Sequence, residues 1–205
     1  MLYSEIKREV LSRINQYTRA GSPVAATYNN QADYLNRIAT FFNSGLVNVR
    51  TTARRQTATA VLCEHETYFG GMHRYELPGD FYQLKTGGVS AVLGDRLVRT
   101  NDYRVSGRTH LLVPAHPDAD YVVEYYRYPN LLPPDPSDEY ELMEDIDVVK
   151  CAATYAAAQL MLYDDEFVYA SLYNDYETQL NQLSNGVEAE VLPVQDAYSF
   201  DAGWF

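Results

Sequence analysis

Cysteine is scarce in this chain, and so is any long apolar run. The two cysteines, Cys63 and Cys151, form no CxxC pair. That argues against a disulfide framework and a four-cysteine zinc site, and it suits a reducing compartment. No stretch approaches the ~20 apolar residues that a membrane helix needs. The opening MLYSEIKREV lacks the apolar core of a signal peptide, so synthesis in a cytoplasm and no membrane partner are expected. Basic residues are few as well: 16 Lys and Arg stand against 28 Asp and Glu, a net charge of −12. Tight binding to nucleic acid or an anionic membrane depends on basic patches that displace counterions, and such a balance disfavours it.

What is present is enough to fold. The 205 residues are 46% hydrophobic and 21% charged, which is ordinary for a globular chain. The charge is unevenly placed. Residues 1–56 carry eight Lys and Arg against three acids, whereas 135–205 carry one base, Lys150, against sixteen acids. Two readings fit: a basic helical pair packed beside an acidic one, or complementary faces between neighbouring subunits, where charge sets orientation and register.

Periodicity predicts a first helix from a Ser4 cap to about Arg19, with Ile6, Val10, Ile14 and Tyr17 as its apolar stripe. A second helix starts near Asn30 to Asp33; Gly45 can cap its C-terminus or sit inside a helix that continues to Arg55, and continuation is the favoured reading. From Thr57 the period falls towards two and turn residues multiply, which marks a β region. Gly70-Gly71, Gly87-Gly88 and Gly94-Asp95 punctuate it, and Ser106-Gly107 is placed as a two-residue hairpin turn. Tyr121 to Tyr128 is apolar and aromatic on both faces, so it should be covered on both sides. The stretch Pro129 to Pro136 is a connector back to helix. An alanine-rich helix, Ile146 to Tyr163, follows an acidic entrance, and Asp164-Asp165 can cap a fourth helix, Glu166 to Leu183. The expected fold is α+β: a four-helix bundle, residues 1–56 and 138–186, interrupted by an antiparallel β insertion, 57–137. An extended C-terminal arm, 187–205, completes it. The arm's many aromatic residues suggest docking on something outside its own core.

Chemical motifs are thin. Cys63, His65 and His73, with Glu64 and Glu66 nearby, are the one tempting ligand cluster, because alternate strand residues share a face. Their spacing is irregular, and no HExxH motif, phosphate loop or GxSxG elbow accompanies them. The acids of 135–147 lack the order of a calcium loop and suit a solvated helix start. No catalytic residue, cofactor or metal is assigned. Nineteen tyrosines are the oddest feature. Tyrosine gives large contact area with few rotatable bonds and a hydroxyl for wet boundaries, so the set as a whole reads as a heavily contacted oligomer. Tyrosine platforms also bind sugars, and the rival reading is a β-rich carbohydrate-binding module of a virion or secreted protein. An enzyme built on the Cys63 cluster comes third.

The order of parts resembles the phage head-tail connector or adaptor family, the head-completion and tail tubular protein A-like subunits. The resemblance rests on Leu77-Pro78-Gly79-Asp80-Phe81-Tyr82-Gln83-Leu84, on Tyr121 to Tyr128 with the proline connector, and on the alanine-rich helix followed by Phe167 to Tyr173. It covers about residues 1–184. It implies a non-enzymatic virion protein at the head-tail junction, forming a homomeric ring, typically of twelve. The ring docks on the portal protein, meets a downstream tail protein and passes DNA through its bore without specific binding. The arm then becomes the portal-contact candidate, through Tyr198, Phe200, Trp204 and Phe205.

Overall fold

The computed structural model describes residues 1–14, 30–114 and 119–185, in four helices and eight strands. The helices are α1 (Tyr3–Arg13), α2 (Asn30–Thr52), α3 (Ile146–Met161) and α4 (Glu166–Asn185). Between α2 and α3 run β1 (Gln56–Leu62), β2 (His65–Tyr68), β3 (Met72–Glu76) and β4 (Phe81–Leu93). They are followed by β5 (Arg96–Arg99), β6 (Arg104–Ser106), β7 (His110–Pro114) and β8 (Asp120–Arg127). None of the described helices is long and apolar enough to cross a membrane.

The helices do not make the expected four-helix bundle. In a bundle each helix lends one stripe to a shared axial core. Here α3 is itself the centre and packs on α1, α2 and α4, while α1 and α2 scarcely touch. Composition explains the arrangement. The run Ala152, Ala153, Ala156, Ala157 and Ala158 is buried, and small side chains on several faces let neighbours approach from several directions rather than one. The stripe Ile6, Val10 and Ile14 of the first helical segment covers one flank, and Ile38, Phe42, Leu46 and Val49 of α2 cover another. By contrast α4 buries only Leu172 and Tyr176. Gly45 sits inside α2, as expected, and its reason is now visible. A Cβ there would stand 2.9 Å from Tyr155 Cδ1 and 3.0 Å from the Ala152 carbonyl, so glycine sets how closely α2 and α3 can lie.

The β part is antiparallel and divides into two sheets. Two four-stranded antiparallel sheets, ordered β1-β8-β4-β5 and β2-β3-β7-β6, face each other across a core of Leu62, Tyr75, Leu111, Val113, Tyr121 and Val123 among others. Tyr75 of β3 meets Tyr121 of β8 edge-on, with centroids 5.3 Å apart, and its hydroxyl donates to the Ala119 carbonyl at 3.1 Å. In β8 Tyr121, Val123 and Tyr125 are buried, and Val122 and Tyr126 on the other face are half-buried. Gly87-Gly88 does not end a strand. It lies in a bulged part of β4, where the register with β8 jumps between Leu84 and Val89. Any Cβ on Gly88 would come within 2.4 Å of the Glu124 carbonyl. The Ser106-Gly107 turn is longer than expected: Ser106 pairs with His110, leaving Gly107, Arg108 and Thr109 as the loop.

The two parts are joined at one end. α2 ends at Thr52, β1 begins at Gln56, and Gln56 pairs with Arg127, the last residue of β8. The connector 128–145 then returns to the helices, held by Asn43, whose side chain bonds both the N–H and the carbonyl of Leu132 at 2.9 Å. Arg50, 2% exposed, reaches across to this connector. Its Nε donates to Glu144 Oε2 at 2.9 Å and its terminal nitrogen to Asp145 Oδ2 at 3.0 Å. Part of the expected acidic helix entrance is thus spent on a buried ion pair. At the next corner Asp165 caps α4 as read, its carboxylate accepting from the N–H groups of Phe167 and Val168 at 3.0 Å each. The described part of the first helix ends at Arg13, with Ile14 at its C-terminus, and the stretch expected to carry it on towards Arg19 lies outside the described residues. The extended arm, 187–205, lies outside the described residues.

Candidate functional site

The ligand cluster read from the sequence does not converge. His65 opens β2 and His73 lies on β3, offset so that their rings stack nearly parallel, with centroids 3.9 Å apart and planes at 17°. Stacked imidazoles offer each other ring faces, whereas a shared metal needs both nitrogen lone pairs aimed at one point. Burial first, and then His65, lowers the pKa of His73. Cys63 is exposed beyond the end of β1, with its thiol beside Asp120 rather than the histidines. Local desolvation, then Asp120 and then Glu64, raise its pKa, the reverse of what activates a thiolate nucleophile. No group of three His, Cys, Asp or Glu among the described residues is placed to hold a metal ion. An open groove of about 470 Å³ runs past Cys63, His65 and His110, but its acids are solvated or paired, as Glu66 is with Arg74.

About a third of the nineteen tyrosines are core residues rather than surface ones. Tyr3, Tyr34, Tyr75, Tyr121, Tyr125 and Tyr176 belong to the two cores. Among the described residues, Tyr68 and Tyr163 alone reach the exposed range. Their hydroxyls act as internal bolts. Tyr125 donates to Asp80 Oδ1 at 2.8 Å, Tyr34 donates to Asp164, and the Tyr176 oxygen accepts from Asn48 Nδ2 at 2.6 Å. Burial first, and then these carboxylates, push the pKa of Tyr34 and of Tyr125 up to about 12.

The surface that asks for contact is aliphatic and aromatic, and it is dispersed. Phe69, at the β2–β3 turn, is 92% exposed, and Leu97 and Val98 stand out on the edge strand β5. Tyr163 and Phe167 project at the α3–α4 corner, and Met143 and Ile146 project at the entrance to α3. Phe167 belongs to a segment singled out in the sequence, whereas Phe69 and Leu97 do not. Their signal, a large apolar residue inside a turn or on a four-residue strand rich in charge, is visible only once the edges are known. Tyr198, Phe200, Trp204 and Phe205, the portal-contact candidates, fall outside the described residues. Comparison with known proteins finds no family model and no curated protein that matches this chain.

Proposed function

We propose that the chain is a non-enzymatic structural subunit of a phage virion, a head-to-tail adaptor that assembles as a ring beneath the portal. The observation that carries this reading is the scatter of exposed apolar side chains over the surface, with four places standing out. They lie at the β2–β3 turn, the β5 edge, the entrance to α3 and the α3–α4 corner. A small-molecule site gathers its apolar lining into one concavity. A ring subunit instead has to meet a neighbour on either side and other proteins above and below, and isologous or heterologous contacts each require their own patch. The element order, with helices before and after a β region, supports the family resemblance drawn from the sequence.

In this role the portal protein and the next tail protein are the partners, and the ring is twelvefold by resemblance. The acid-rich stretch 135–185, in which Lys150 is the one base, suits a channel that does not hold DNA, because like charge offers the genome no counterion release. The test is mass photometry and negative-stain microscopy of the protein alone and with a portal protein. Closed rings, or rings formed on addition of portal, are expected. A particle that stays monomeric and ignores portal would overturn the assignment, and so would tight DNA binding by the assembled ring at low salt.

A further inference from the structure

At the end of the helical part that adjoins β1, a groove of about 510 Å³ opens where the ends of α1, α2 and α4 meet the start of α3. Among the described residues its lining includes Arg13, Arg54 and Lys150 against a single carboxylate, Asp147. On a chain of net charge −12 that is a local inversion of sign. Arg13 is held by Glu9 at 2.7 Å, and its Nε is buried without a partner. Arg54 and Lys150 are exposed and form no side-chain ion pair among the described residues. Two unpaired cations in a concavity form an anion-binding surface, and the remaining lining, Gln179, Gln182 and Leu183, comes from the last two turns of α4.

We propose that this groove receives residues 187–191 of the same chain, Val-Glu-Ala-Glu-Val. Position is the first argument. α4 ends at Asn185, two residues beyond Leu183 of the groove wall. An extended chain covers roughly 3.3–3.6 Å per residue, so Glu188 and Glu190 are within reach. Charge is the second. The other long segment that leaves beside the groove, 15–29 after α1, carries Arg19 and no acid, whereas 186–205 carries Glu188, Glu190, Asp196 and Asp201 and no base. Pattern is the third. Glu188 and Glu190 alternate with Val187, Ala189 and Val191, so an extended conformation puts both carboxylates on one side, matching the two unpaired cations. The inference stands apart from the adaptor reading and makes no use of it.

The test is amide hydrogen exchange of 187–191 in the full chain, with far-UV circular dichroism as the check on folding. Exchange should be about fivefold or more slower in the wild type than in R54E/K150E or in E188K/E190K, consistent with two partly exposed ion pairs. The fourfold variant R54E/K150E/E188K/E190K should regain protection, since both signs are exchanged. If the groove variant fails to fold, E188K/E190K still decides, because its changes lie beyond the end of α4 at Asn185. Protection should persist over roughly a hundredfold dilution, as an intramolecular contact does. Equal exchange in the wild type and E188K/E190K would overturn the proposal. Protection that disappears on dilution would overturn it too, and would assign the groove to the same segment of another copy.

Discussion

In the helical part α3 is buried at eleven of its sixteen residues, whereas in the β part strands β2, β5 and β6 have every residue exposed. The first region is closed from within. Alanines set the spacing, and the deeply buried Arg50 is matched by Glu144, buried with it, and by Asp145. The second is closed only between its sheets, and its rims are left open. What protects these rims is shortness and charge. β5 is four residues long with Arg96 and Arg99 at its ends, and β6 is three residues long and begins with Arg104. Open backbone edges are templates for pairing, and short charged strands blunt that tendency. The closed packing therefore centres on α3 in the first region, and the open strand edges lie in the second.

The sharpest way to break that contrast is Arg50→Ala. It would leave Glu144, whose side chain is fully buried, without its partner, and denaturant unfolding should show a loss of about 3–5 kcal/mol. Gly45→Leu should follow at about 1–3 kcal/mol, the cost of overpacking against Tyr155 and the Ala152 carbonyl, only partly offset by better helix propensity. In the β part Tyr125→Phe should cost about 1–2 kcal/mol at neutral pH, from the lost bond to Asp80. This tyrosine also gives a pH signature. Its folded pKa, about 12, lies above the unfolded value of about 10, so its contribution is intact below pH ~10 and is lost as pH rises through 12. Alkaline unfolding curves of Tyr125→Phe should accordingly fall less steeply in that window. Smallest of all should be Leu97→Lys with Val98→Lys. Unfolding should move by no more than about 0.5 kcal/mol, while self-association measured by sedimentation should weaken. A large stability loss there would erase the distinction between a closed core and an open rim.

Local features were legible in the sequence because their causes are local. The Asp165 cap, the proline connector and the unbroken helix through Gly45 each follow from a few neighbouring residues. The bundle was misread for a related reason. A 3.6-residue period tells which face of α2 is apolar but not which helix covers it, and an alanine run buried all round α3 has no face to read. The division into two sheets was not legible because the pairings are distant: β3 with β7 joins Met72 to Pro114 in one sheet, and β1 with β8 joins Gln56 to Arg127 in the other. Counting tyrosines did not tell where they lie, since a hydroxyl that can sit at a wet boundary can equally bond Ala119 or Asp80 inside. At the candidate site, Cys63 and His65 share a strand parity on paper, but the chain turns between β1 and β2 and sends the thiol to Asp120.

The pairing of Gln56 with Arg127 has a consequence for how such a chain can change over time. Everything from β1 to β8 departs from and returns to the helical body through two neighbouring strands, whose backbones lie only about 5 Å apart. A region attached by so narrow a stem can be lengthened, shortened or exchanged without moving α2 or the connector that carries Glu144, because the distance to be spanned by any replacement is already fixed. The helical body is thereby a constant mount, and what it presents is free to diversify.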